Sequence, residues 1–178
     1  MQIAFKKFRL QFWSMDIVFA IVIFGIVLTI ILFIWFSVNT NLSSSYSNTN
    51  IVLQMQNHML SQSLLTPGVP NNWSSFINTT NTLTWNGMTI GLAYSQRNIN
   101  FSVSKIYTLM AMANYNYSYT KQIFGLSYNY YIVITGSSMN VSIGENPQTN
   151  GATTVNIEKT NIFIQGTLAT MKTIVWTN

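Results

Sequence analysis

IVFAIVIFGIVLTIILFIWF, residues Ile17 to Phe36, is an apolar run broken only by the small residues Gly25 and Thr29. At about 1.5 Å per residue its helix would be about 30 Å long, the thickness of the hydrocarbon core of a bilayer. A secretory signal has an apolar stretch of roughly 7 to 15 residues followed by a small-residue cleavage site. Here Trp35 and Phe36 close the run, so the reading is a retained single span. Lys6, Lys7 and Arg9 precede it, and no Lys or Arg occurs from Ser37 to Gln96. The positive-inside rule then keeps residues 1–16 in the cytoplasm, sends 17–36 through the membrane and exports 37–178. Trp13 and Trp35 stand at the two ends, where indole rings favour the headgroup zone.

The helical pattern continues past the span. Val38, Leu42 and Tyr46 recur every four residues, and Val52, Met55 and Met59 extend the stripe at spacings of three and four. Every other residue from Ser37 to Asn50 is Asn, Ser or Thr, all poor helix formers, so a bend or break there is compatible with the sequence. Thr66 before Pro67, then Gly68 and Pro70, ends the pattern after Leu65. One helix from Ile17 to Leu65 would be about 74 Å long.

Downstream, Asn86-Gly87 between the runs Thr82–Trp85 and Met88–Leu92 predicts a hairpin. Val103, Ile106, Met110, Ala113, Tyr117 and Phe124 predict a second helix over 103–124, with Ser102 as N-cap and Gly125 beyond its end. The alternating Tyr115, Tyr117 and Tyr119 also read as strand. Tyr128–Thr135, Asn140–Ile143, Thr153–Ile157, Asn161–Gln165 and Met171–Trp176 predict short strands. The expected fold is α+β: a long N-terminal helix, half transmembrane and half exported, packed with a second helix on an antiparallel sheet.

Composition bounds the chemistry. Among 178 residues charged side chains are 6 %, cysteine is absent and the net charge is +5. An exported domain without cysteine folds without disulfides. Asp16, Glu145 and Glu158 are the only acids, which fits either an external face that meets low pH or a coding bias toward Asn, Ile and Tyr. Arg97, Lys105, Lys121, Lys159 and Lys172 are scattered in sequence, so nucleic acid is not an expected partner. His58 is the single histidine, Glu145 and Glu158 lie in turn-rich segments, and no phosphate loop is present. The expectation is therefore no enzyme, no catalytic residue, no metal and no cofactor. Met55, Met59, Met110 and Met112 read as core on facing helices. Tyr115, Tyr117, Tyr119, Tyr128, Tyr130 and Tyr131 read as an adhesive aromatic surface, with half of them buried under the sheet. Asn41, Asn72, Asn78, Asn100, Asn116 and Asn140 begin Asn-x-Ser/Thr sequons and are the glycosylation candidates.

A long N-terminal helix, half in lipid and half laid on a sheet, is also the build of type IV pilins. Leu10-Gln11-Phe12-Trp13-Ser14-Met15-Asp16 before the apolar run resembles the processing region of archaeal pilin-like proteins. Leu64-Leu65-Thr66-Pro67-Gly68-Val69-Pro70-Asn71-Asn72-Trp73, Ile90-Gly91-Leu92-Ala93, then Lys105 and Leu109, and the β run ending in Trp176 resemble their exported part. The resemblance spans most of the chain. It implies a structural subunit, a minor pilin, of an archaeal type IV pilus-like surface filament. Its partners would be the membrane, copies of itself or other pilins, the prepilin peptidase and the assembly machinery. It implies processing at Leu10 or Gln11, although the family's peptidase favours Gly or Ala before the scissile bond. It also implies that Asp16 meets the N-terminal amine of a neighbouring subunit. Gly25 and Thr29 form a small-xxx-small pair that lets helices approach closely in lipid, and complete the assembly residues. The alternative is an uncleaved single-pass surface protein used for adhesion or in an envelope complex.

Overall fold

The computed structural model describes residues 3–96, 99–137 and 139–178, with side chains from Met15 onward. Leu10 and Gln11 lie on described backbone, but their side chains, like those of Lys6, Lys7 and Arg9, are outside the described ones, as is Arg97 altogether. The chain divides into two compact units, Met1–Asn48 and Thr49–Asn178.

Helix α1 is Ile3–Leu64, and no break interrupts the Asn/Ser/Thr segment. In the first unit hydroxyls bond back to preceding carbonyls: Thr29 Oγ1 to Gly25 O at 2.7 Å, Thr40 Oγ1 to Phe36 O at 3.0 Å and Ser44 Oγ to Asn41 O at 2.9 Å. Side chains that would otherwise compete with the helix are thereby turned onto it.

The second unit opens with the part of α1 from Thr49, followed by α2 (Trp73–Phe76), a 3₁₀ turn (Thr82–Trp85), β1 (Asn100–Phe101), α3 (Val103–Tyr115) and α4 (Tyr117–Ile123). Strands β2 (Asn129–Gly136), β3 (Met139–Gly144), β4 (Thr154–Ile164) and β5 (Thr167–Thr177) complete it. The sheet order is β1-β4-β5-β2-β3. All pairs are antiparallel except β1 with β4, so the sheet is mixed, not antiparallel throughout as expected. The α+β class holds, with α1 packed on a five-stranded sheet.

Register assigns the two faces. Tyr130, Ile132 and Ile134 of β2 face Val175, Thr173 and Met171 of β5 across the ladder, and with Val141 and Ile143 of β3 they form the buried side. Leu53, Leu60 and Leu64 of α1 and Ile106, Leu109 and Met112 of α3 are buried in the same core.

Several expectations are corrected. The α1 stripe that packs is Leu53, Asn57, Leu60, Ser61 and Leu64, whereas Met55 and Met59 are exposed. The packed face lies about half a turn from the apolar stripe and includes the polar residues Asn57 and Ser61. β4 and β5 present polar partners there: Asn57 Nδ2 donates to Asn156 Oδ1 of β4 at 2.8 Å and to Thr173 O of β5 at 3.1 Å, and Ser61 Oγ lies 3.5 Å from Thr160 Oγ1 of β4, while Asn57 Oδ1 is buried without a partner among the described residues. Met112 is core as expected, and Met110 is half-buried against that core.

The hairpin at Asn86-Gly87 does not form. Gly87 does take the left-handed region at φ 73°, but Thr82–Trp85 is wound tight, with Asn81 Oδ1 accepting from Leu83 N, and buries Trp85. Thr89 pairs with Val69 through both backbone bonds, 2.9 and 3.0 Å, instead of with the preceding run. The second helix is two helices, since Asn116 leaves helical geometry (φ −149°, ψ 87°) and its Oδ1 caps α4 by accepting from Tyr119 N. Ser102 does occupy the N-cap of α3, but without a side-chain bond. The two strands expected at 153–157 and 161–165 are one, β4, joined to β5 through Gln165 and Gly166, both at positive φ.

Candidate functional site

From Ile3 to Asn48 the first unit is helix throughout. Every large apolar side chain from Ile17 to Phe36 is exposed, from 44 % at Leu28 to 74 % at Phe33. Val38, Leu42 and Tyr46 continue exposed beyond it. Among the described residues this is the one helix long and apolar enough to cross a membrane. Asp16 sits exposed on the helix, immediately before the run. A Cβ added at Gly25 would meet nothing within 4 Å, so no packing within the chain requires the glycine. Thr29 spends its hydroxyl on the Gly25 carbonyl at 2.7 Å.

In the second unit the structure gathers residues that lie apart in sequence. After α1, Thr66–Gly68 crosses the Thr89–Gly91 segment at backbone contact. A Cβ at Gly68 would lie 2.5 Å from Thr89 O, and one at Gly91 would collide with Thr66 O. Trp73, 1 % exposed, donates from Nε1 to Gly91 O at 2.9 Å. Lys105 reaches into this crossing from α3 and is 5 % exposed. Its Nζ donates to Pro67 O at 2.7 Å, Ala93 O at 2.8 Å and Asn71 Oδ1 at 3.3 Å. Burial lowers the Lys105 pKa, and its ammonium is met by neutral oxygens, not by a carboxylate. The arrangement leaves the amine no open face toward a substrate. Its chemistry is that of a clamp holding α1's exit to α3.

A second polar knot starts β2. Tyr117 accepts from Tyr130 N at 2.7 Å and donates to Tyr130 O at 3.3 Å, while Tyr130, fully buried, shares a 2.7 Å bond with Thr120 Oγ1. The rings stack at 5.0 Å. Burial pushes both phenols up, well beyond their ordinary range. From α1, Gln56 Oε1 accepts from Ser127 N at 3.0 Å and Tyr128 N at 3.2 Å. The six tyrosines therefore do not form one adhesive surface. Tyr117 and Tyr130 make this knot, Tyr115 and Tyr119 flank buried Trp85, and Tyr131 lies on the opposite face of the sheet.

His58 lies 3.6 Å from Glu158 in an exposed contact between α1 and β4, and among the described residues no group of three metal-ligating side chains occurs. Of the sequons, Asn41, Asn72, Asn78 and Asn140 are exposed. Asn116 and Asn100 are half-buried, Asn116 as the cap of α4 and Asn100 in β1.

One feature of the outer sheet face is not visible in the linear order of charges. Lys159 of β4 and Lys172 of β5 are directly opposite each other. Residue alternation within each strand would have placed each lysine with its own apolar neighbours; only the β4–β5 register brings the two together.

Comparison of the chain with protein-family models, with curated proteins and with solved structures finds no match in any of the three.

Proposed function

We propose that the chain is a structural subunit, pilin-like and minor, of an archaeal type IV pilus-like surface filament, held in the membrane and assembled through α1. The observation that carries the reading is the exposure of α1 from Ile17 through Tyr46. An apolar helix surface of this length needs lipid or other helices against it. Beyond Phe36, Asn, Ser and Thr each cost about 0.5 kcal/mol of helix propensity relative to Ala, and Val38, Leu42 and Tyr46 stay exposed among the described residues. Neighbouring copies along Val38, Leu42 and Tyr46 would offset that cost. Gly25 and Thr29 offer a place for close helix approach, and Asp16 a carboxylate at the lipid edge whose cost a neighbour's amine would offset. The second unit would be the outer body, with Asn72, Asn78 and Asn140 open to sugar, and the N-terminus would stay cytoplasmic.

The test is the mature N-terminus together with sedimentation of sheared surface filaments. Processing at Leu10 or Gln11, and loss of filament incorporation in Asp16→Ala with membrane insertion intact, support the reading. Unchanged incorporation removes the role of Asp16. Leu10 and Gln11 in place of the small residue favoured by the peptidase support the second reading, an uncleaved single-pass surface protein for adhesion or an envelope complex. An intact leader and no sedimenting filament would select it.

A further inference from the structure

The face of the sheet turned away from the helices is graded. Val155 and Trp176, then Ile157, Ile174 and Tyr131, lie in successive rows across β4, β5 and β2, followed by the row Lys159, Lys172 and Val133. The β3–β4 connection folds over the first rows. Trp176 Nε1 donates to Glu145 O at 3.1 Å beneath it, and the connection is braced by bonds from Gln148 N to Asn146 Oδ1 (3.0 Å) and from Ala152 N to Pro147 O (3.2 Å). The result is a preformed groove of about 530 Å³ with an aliphatic floor, a loop wall and Lys172 in its lining. Val155 and Ile157 remain 42 % and 55 % exposed.

Two like charges directly opposite on adjacent strands repel each other, and in a chain of eight Lys and Arg such a placement is a notable use of charge. The described acids of this unit do not relieve it. Glu158 points to the opposite face, toward His58, and Glu145 precedes the loop wall. We infer that the groove docks an acidic segment of a different protein, apolar side chains seated on Ile157 and Ile174 and a carboxylate received between Lys159 and Lys172. A concave aliphatic floor suits inserted side chains, whereas a lipid surface is met by protrusions. A second copy of this chain is a poor occupant, having so few acids to offer. The inference is independent of filament assembly, since it concerns the second unit alone.

The experiment uses the full chain in nanodiscs of zwitterionic lipid and a fluorescein-labelled peptide of sequence Ile-Glu-Val-Glu-Ile, followed by anisotropy. Saturable binding is expected, weakened at least about tenfold when Gln replaces both Glu in the peptide, and equally in Lys159→Gln/Lys172→Gln and in Ile157→Ser. Those variants alter exposed or half-exposed positions, and unchanged thermal unfolding verifies their folding. No saturation below about 1 mM, equal binding of the acidic and amide peptides, or undiminished binding by the variants overturns the proposal. So does lysine-dependent flotation with phosphatidylglycerol vesicles without peptide binding, which would assign the face to lipid. Self-association lost in the variants would assign it to a second copy.

Discussion

Lys105 shows how a residue that reads as a surface charge becomes internal mortar. Its three oxygen partners are Pro67 and Asn71 in the loop between α1 and α2 and Ala93 further on, so one side chain of α3 ties two other stretches of chain. Replacing it with Met leaves the Pro67 and Ala93 carbonyls buried without donors, at about 1–3 kcal/mol each. Lys105→Met is expected to lower the denaturant midpoint of the second unit, measured by tryptophan fluorescence of the full chain in micelles. The loss should vary with pH in a defined direction. Because burial lowers the folded-state pKa below its ordinary 10.5, the unfolded chain binds the proton more tightly. Wild-type stability relative to Lys105→Met therefore rises with pH between the lowered value and 10.5, and is level below that window. Gly68 and Gly91 belong to the same crossing. Gly68 was legible as a turn residue beside Pro67, but the demand on Gly91 comes from a segment distant in sequence and had no local sign.

At the scale of the element, α1 divides into a part whose helicity is plain in the sequence and a part whose face is not. Apolar length marks Ile17 to Phe36. From Thr49 on, the stripe through Val52, Met55 and Met59 looked better than the true one, because the true one includes Asn57 and Ser61. A buried polar group is costly where unpaired: the sheet takes the Asn57 Nδ2 protons through Asn156 and Thr173 and meets Ser61 with Thr160, leaving Asn57 Oδ1 without a partner among the described residues. Leu60→Ala should cost about 2–5 kcal/mol, whereas Met59→Ala should stay within about 0.5 kcal/mol. Equal losses in chemical denaturation would contradict the assigned face. The turns teach the same lesson. Asn86-Gly87 carried the stronger hairpin signature, yet the hairpin forms at Gln165-Gly166, where both flanking strands have ladder partners and apolar inner faces. Around Asn86 the burial of Trp85 and the Thr89–Val69 bridge outbid the local preference.

For the whole molecule the low charge has one direct consequence. With Asp16, Glu145 and Glu158 as its only acids, acidification can remove few favourable carboxylate interactions and add little repulsion between newly uncompensated cations. The unfolding midpoint of the second unit should change little between pH 7 and about pH 3, read by circular dichroism in micelles. A steep loss would remove the acid-exposure reading and leave coding bias as the account of the composition. Absence of cysteine leaves stability to the core and to knots such as Tyr117 with Tyr130.

The sequence by itself determined the apolar N-terminal helix, the α+β class, the buried positions Ile106, Ala113 and Phe124, and the strand positions from Tyr128 onward within a residue or a few. These rest on periodicity and local backbone preference, which neighbouring residues carry. Tertiary structure alone decided which face of α1 packs, the parallel β1, the joining of two expected strands into β4, the Lys105 clamp and the Lys159–Lys172 pair. Each depends on what stands opposite in space. Hydrogen-bond satisfaction and cross-strand register are properties of pairs of distant segments, and no local pattern in one segment encodes the other.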